Sequence, residues 1–276
     1  MNGERGSRVD VLACSRAGQG HPLVFLHGLG ASRQQADATI AAVDGVERIT
    51  VDLPAHGASA ASTVALTFDA FADAVVELLD HLELSAVALG GISMGAGVSA
   101  AVATRRPDLV SALVLVRPAW MAEPGRPHLD LVAALGEWAV TEGLDGARHR
   151  LEEDQRFQTM AEHEPSAATS LAGALDRLAE TKRPDVLSAI VDSQPFTDLA
   201  DLAAVDQPAL VVATAHDRLH PAWIAGAIAG ALPNATLTTA PPRYLEPTAH
   251  QNFLTRAISG FLATHNRYDH APRSNT

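Results

Sequence analysis

No stretch of this chain restricts its fold more than Gly91-Ile92-Ser93-Met94-Gly95. These residues follow the apolar run Val87-Ala88-Leu89-Gly90 and lead into the small, helix-compatible segment Ala96-Gly97-Val98-Ser99-Ala100-Ala101. A strand that turns abruptly into a helix forces the turn residue into a sparsely populated conformation, with its side chain exposed above the sheet. Glycines on both flanks remove the Cβ atoms that would clash there. The pattern G-x-S-x-G also arises by chance, in roughly one chain of this size in ten. The rest of the chain must therefore decide whether Ser93 is a nucleophile or a serine in a glycine-rich turn.

Around this turn, short apolar runs alternate with helical patterns, as in an α/β fold built on a mostly parallel sheet. Leu23-Val24-Phe25-Leu26, Ile49-Thr50-Val51 and Val110 to Val116 read as buried strands. Residues 67–82 read as a helix capped by Thr67, with Phe71, Val75, Leu78, Leu79 and Leu82 on one face. After Pro118 the alternation stops, and from Trp120 to about Val205 only helical patterns appear. These could be ordinary flanking helices. Several helices in a row without a strand favour instead an inserted all-helical cap over residues 119–205, leaving residues 1–118 and 206–265 as the core. Alternation resumes with the strand Ala209 to Ala213, a helix from Pro221, the strand Ala235 to Thr239 and a closing helix from His250 to Ala263. The polar stretch 266–276 is expected to be a disordered tail.

Bulk composition excludes several classes. The net charge of −12 argues against a nucleic-acid partner. Cys14 is the only cysteine, so neither an intrachain disulfide nor a cysteine-based zinc site is available. No apolar signal core follows Met1, and no stretch reaches the length of a membrane span. A cytoplasmic protein without a membrane partner is the expectation. Oligomeric state leaves no trace in the sequence.

A serine hydroxyl needs a base within hydrogen-bond reach, and the base needs an orienting carboxylate. When such a serine sits on a strand-to-helix turn, the acid and then the histidine follow it along the chain. Asp217, at the end of Leu210-Val211-Val212-Ala213-Thr214-Ala215-His216-Asp217, fits the acid. His250, after the last strand, fits the base. Each has a bland alternative, Asp217 as a helix cap and His250 as a solvated histidine at a helix start. The developing oxyanion needs backbone donors. The amide of Met94 is one. The amide of Leu29, in His27-Gly28-Leu29-Gly30, is the other.

With these residues assembled, the chain resembles the α/β-hydrolase superfamily over nearly its whole length. The resemblance rests on Phe25-Leu26-His27-Gly28, on Asp52-Leu53-Pro54-Ala55-His56-Gly57-Ala58-Ser59, on the turn at Ser93, and on Asp217 and His250. It implies an inserted helical lid, and roles for His27 and Asp52 in organising loops rather than in chemistry. Ala55 and Ala249 stand where glycine is common in the family, and Arg117 stands where some members place their acid. The serine separates this chain from branches with an aspartate nucleophile.

Competing signals are weaker. Gly28-x-Gly30 partly imitates a dinucleotide fingerprint, but Arg33 occupies the place of its third glycine. His216-Asp217-Arg218-Leu219-His220 resembles a zinc pair, yet His216 belongs to a strand end. His220 is expected to line the active-site mouth or to sit on the surface, and Trp120 and Trp138 to line the substrate pocket, with core packing the alternative for Trp138. The expected activity is hydrolysis of a carboxylic ester, thioester or lactone through an acyl-enzyme, with a small-molecule acyl substrate and no cofactor or metal. The same site would also suit a non-hydrolytic enzyme: an acyltransferase, lyase, cofactor-free peroxidase or cyclase of secondary metabolism. A catalytically dead binding protein is the third class.

Overall fold

A computed structural model describes residues 12–123, 126–181 and 183–265. The expected tail 266–276 lies outside these residues. Seven strands form one sheet: β1 (Cys14–Gly18), β2 (His21–Leu26), β3 (Val46–Val51), β4 (Val87–Ile92), β5 (Val110–Val116), β6 (Ala209–Thr214) and β7 (Ala235–Ala240). Their order across the sheet is β1-β3-β2-β4-β5-β6-β7. Only β1 runs antiparallel to its neighbour. Strand β1 was not foreseen, because Cys-Ser-Arg-Ala-Gly at a half-exposed edge carries no apolar run.

Side chains alternate across a strand, and this divides the core into two layers. Leu23 and Phe25 of β2 face one layer, completed by Ile40 of α1 (Arg33–Ile40) and by Leu254, Ile258 and Leu262 of α10 (Pro247–His265). Val24 and Leu26 face the other. That layer takes in α2 (Phe68–His81), α3 (Met94–Arg105) and α9 (Ala222–Ala231). As expected, the Thr67 hydroxyl caps α2, accepting from the Ala70 amide at 3.2 Å.

Between β5 and β6 lie α4 (Asp130–Thr141), α5 (Gly143–Glu153), α6 (Gln155–His163), α7 (Pro165–Thr181) and α8 (Val186–Asp192), with no strand among the described residues. They pack on one another, α4 against both α5 and α8 and α6 against α7. They also meet the core. A Cβ on Gly30, in the loop after β2, would sit 3.4 Å from Ala174 of α7 and 3.5 Å from Leu187 of α8. The Trp120 indole donates to the Ile190 carbonyl at 3.0 Å and packs edge-on against Phe68 of α2.

The sheet order reverses direction at β2 and β4, the neighbours that carry the chain outward to opposite edges. In open parallel sheets, ligand sites form at such a switch point, beyond the carboxyl ends of the strands. The loops that follow β2 and β4 are His27 to Gly30 and the turn at Ser93.

Candidate active site

Three of the described non-glycine residues with positive φ follow strands of the sheet. Ser93 follows β4 with φ +56°, Arg117 follows β5 with φ +51°, and His216 follows β6 with φ +51°. Non-glycine residues adopt such angles at a cost of about 1–3 kcal/mol each, and only where the surroundings hold them. At Ser93 those surroundings are explicit. Its amide donates to the Val116 carbonyl at 2.9 Å, and its carbonyl accepts from Gly97 at 3.1 Å. The flanking glycines allow a close approach of backbone to backbone. A Cβ on Gly91 would lie 2.5 Å from the Gly95 carbonyl carbon, and one on Gly95 would lie 2.5 Å from the Leu26 carbonyl oxygen.

The Ser93 hydroxyl oxygen is 2.9 Å from Nε2 of His220. The other ring nitrogen, Nδ1, is 2.9 Å from Oδ1 of Asp217. Serine, imidazole and carboxylate thus form one hydrogen-bonded row. The histidine in that row is His220 and not the expected His250. The structure starts the last helix at Pro247, three residues earlier than the sequence suggested, so His250 lies within the first turn of α10 instead of opening it. Its Nδ1 turns back to donate to the Pro241 carbonyl at 2.9 Å. His220 comes from the turn that carries the acid. The His220 amide donates to the Asp217 carbonyl at 3.3 Å, which brings the two side chains to the same side.

A cation shares the acid. Arg117 donates through Nε to Oδ2 of Asp217 at 2.8 Å, and its Nη2 lies 2.6 Å from the same oxygen as an ion pair. All three side chains are buried. Nη2 of Arg117 also lies 2.9 Å from Nδ1 of His220. One ring nitrogen cannot donate to Asp217 and accept from Arg117 at once. Nε of Arg117 already serves the carboxylate, and a charge-assisted bond between Nδ1–H and carboxylate outweighs a bond to a neutral ring nitrogen. The geometry therefore assigns the proton to Nδ1, donating to Oδ1. Nε2 is then an acceptor for the Ser93 hydroxyl, the state a general base requires.

Electrostatics agree with this tautomer. Burial, followed by the Arg117 charge, lowers the His220 pKa to about 4, although Asp217 opposes the shift. Burial alone would raise the Asp217 carboxyl, but His220 and Arg117 together hold it well below the usual carboxylate range.

The Met94 amide opens α3, and the Leu29 amide lies in the loop after β2. Neither meets an acceptor among the described residues. The neighbouring amides are taken: Gly28 donates to Gln35 Oε1 at 2.8 Å and Gly30 to His56 Nε2 at 3.1 Å. His27 and Asp52 organise these loops, as the resemblance implied. His27 donates through Nδ1 to the Gly28 carbonyl and accepts from the Leu53 amide. Asp52 accepts from the Arg33 amide, the Arg33 guanidinium and the Ala58 amide.

A cavity of about 100 Å³ adjoins Ser93 and His220. Trp120 forms part of its wall, and Trp138 does not. Trp138 lies on α4 under the guanidinium of Arg150, 5.8 Å from the ring centroid, and so belongs to the packing between helices. Lining residues that the sequence did not point to include two cations, Arg177 of α7 and Arg243 of the loop after β7. Among the described residues, no group of three His, Cys, Asp or Glu side chains converges as a metal site would. Nor is any described helix long and apolar enough to cross a membrane.

Comparison with known proteins adds to this geometry. The sequence model of the alpha/beta hydrolase fold matches residues 21–244. The (E)-2-((N-methylformamido)methylene)succinate hydrolase of Acinetobacter baylyi is 34% identical over 103 residues, 36% of this chain and 38% of that protein. The chain thus spans well under half the length of that relative. The putative non-heme bromoperoxidase BpoC of Mycobacterium tuberculosis is 29% identical over 262 residues, 89% of this chain and 92% of that one. Among solved structures, a thermophilic esterase from Thermogutta terrifontis superposes with a TM-score of 0.73 at 24% identity, covering 93% of this chain and 94% of the other, a likeness of fold.

Proposed function

Because this chain belongs to the alpha/beta hydrolase fold family, we propose that it is a serine hydrolase of small carboxylic esters, thioesters or lactones, with His220 as its base. The observation that supports this reading is the row from Ser93 Oγ to His220 Nε2 and from His220 Nδ1 to Asp217 Oδ1, each step 2.9 Å. In the first half-reaction Ser93 Oγ attacks the carbonyl carbon and passes its proton to His220 Nε2. Asp217 steadies the imidazolium that forms. The carbonyl oxygen becomes an oxyanion, held by the Leu29 and Met94 amides. His220 then returns the proton to the leaving alkoxide or thiolate, and an acyl-Ser93 remains. In the second half-reaction water gives a proton to His220, attacks the acyl carbon, and Ser93 leaves with that proton. Helices α4 to α8 act as the cap that bounds the acyl site.

The size of the cavity favours a short substrate. Its volume of about 100 Å³ lies below the ~300–1,000 Å³ of sites for drug-sized ligands. A second outcome of the same acyl-enzyme is capture by a nucleophile other than water. The relative named as a putative non-heme bromoperoxidase gives that outcome some support.

A fluorophosphonate probe and a panel of 4-nitrophenyl esters of increasing acyl length test the proposal together. The probe should label the protein at Ser93 and fail on Ser93→Ala. Turnover should be greatest for short acyl groups, and Ser93→Ala should lower kcat on the order of 10⁶-fold. Wild-type turnover by Ser93→Ala, or no labelling of the folded protein, would remove the reading. Hydroxylamine or hydrogen peroxide competing with water on one ester then separates hydrolysis from transfer.

A further inference from the structure

The cavity beside Ser93 has a charge opposite to that of the molecule. The chain carries 32 acidic and 20 basic residues. The cavity lining nevertheless contains Arg117, Arg177 and Arg243 and no aspartate or glutamate. We propose that this basic wall recognises a carboxylate on the substrate, with Arg243 as its main ligand, so that the acyl compound attacked by Ser93 is a half-ester, lactone or thioester of a short dicarboxylic acid. The inference rests on Ser93 being the nucleophile.

The three arginines are not equivalent. Arg117 is neutralised within the fold by its ion pair with Asp217. Arg177, from α7, donates to the carbonyls of Gly30 and Ser170, which ties it to the loop that carries the Leu29 amide. Arg243 has neither arrangement. No oxygen accepts from its guanidinium among the described residues, and its one directed contact is with the face of Tyr244, 5.5 Å from the ring centroid. The Arg117 guanidinium lies 5.7 Å from the same ring. Arg243 is thus a half-buried cation facing like charge, an arrangement that costs free energy unless an anion relieves it. Burial and the Arg117 charge both press its pKa downward.

A guanidinium presents donors in a planar fork that matches a carboxylate. The Arg243 charge is felt at His220, so an anion on Arg243 would sit close to the reacting carbonyl rather than at a remote mouth. The limited volume points the same way, to a carboxylate a few bonds from the scissile carbonyl. A carboxylate suits this wall better than a phosphate, because Arg117 is already spent on Asp217 and a phosphate of charge about −1.5 to −2 would be under-matched.

Titration calorimetry on the full chain carrying Ser93→Ala tests this without turnover, with monomethyl glutarate, dimethyl glutarate and propyl phosphate as probes. Monomethyl glutarate should bind at least about tenfold more tightly than dimethyl glutarate, in line with one charge-assisted fork. Adding Arg243→Gln should erase that difference, and Arg243→Lys should keep part of it, with thermal melts showing that both variants fold. Equal affinity for the two esters, an undiminished preference in folded Arg243→Gln, or tighter binding of propyl phosphate would overturn the proposal. Ester turnover by the wild-type chain, measured in parallel, separates the two readings. Turnover without a carboxylate preference overturns the anion site alone. A carboxylate preference without turnover supports the anion site and removes the serine reading.

Discussion

At the residue scale, the chemistry depends on which proton sits on His220. Asp217 takes the Nδ1 proton on one oxygen and the Arg117 guanidinium on the other, so the acid orients its base while being held ionised itself. The consequence is a pH profile shifted to low pH. A histidine at its ordinary value would give an acid limb near pH 6.5, whereas His220, lowered to about 4, stays neutral far below that. Protonation of His220 removes the base, so kcat/KM should fall as pH drops through about 4 and be flat from pH 6 to 8. Initial rates across pH 3.5–8, on enzyme returned to pH 7 to exclude denaturation, check this; an acid limb between pH 6 and 7 would count against it. Ser93 and Asp217 were legible because each terminates an apolar strand. The partner histidine was not. Both His220 and His250 follow Ser93 and Asp217 in the order the chemistry asks for, and sequence order cannot show that a one-turn loop places residues 217 and 220 side by side.

At the scale of elements, the turn at Ser93 is held by backbone contact more than by side chains. Gly95 lets α3 start against the carbonyl of Leu26, where a Cβ would lie 2.5 Å from the oxygen. Gly95→Ala should therefore destabilise the fold by about 2–4 kcal/mol, the range of overpacked or strained core positions. Urea denaturation beside wild type checks it, and a loss under about 0.5 kcal/mol, typical of a surface site, would contradict the close approach. Elements of strong periodicity were readable in advance. The helix expected over 67–82 forms as Phe68–His81, and the strand before Ser93 forms as Val87–Ile92. Elements set by tertiary context were not. Strand β1 exists because its backbone pairs with β3, and α10 begins at Pro247 although its apolar face begins only at His250 and Leu254. Arg243 and Tyr244 lie in the loop before this helix and line the cavity.

At the scale of the whole molecule, histidines buried in neutral form link folding to pH. Burial lowers the pKa of His27 to about 4. Burial, aided by the neighbouring His27, lowers that of His56 to about 3. In the unfolded chain both return toward 6.5, so the unfolded state binds more protons below that value. Stability is then complete above pH 6.5 and falls as pH drops toward the folded values. His27 and His56 should each cost about 2 kcal/mol on going from pH 7 to pH 5. Asp217, whose folded pKa is depressed, adds a loss of the same sign at still lower pH. Urea midpoints at pH 7 and pH 5 measure the effect, and equal midpoints would contradict it. The alternation of strands and helices made the sheet and its covering layers legible at this scale. The sign of the cavity was hidden, because Arg117, Arg177 and Arg243 are far apart in sequence and only the fold brings them to one wall.

The most direct test exchanges two histidines one at a time. With 4-nitrophenyl acetate as substrate, His220→Ala should lower kcat/KM by about 10⁴-fold or more, as loss of the base does in a serine nucleophile site. His250→Ala, which removes a buried ring bonded to the Pro241 carbonyl and not to Ser93, should stay within about tenfold of wild type, a change of the size ordinary structural substitutions produce. The reverse pattern, with His250→Ala inactive and His220→Ala active, would contradict the account.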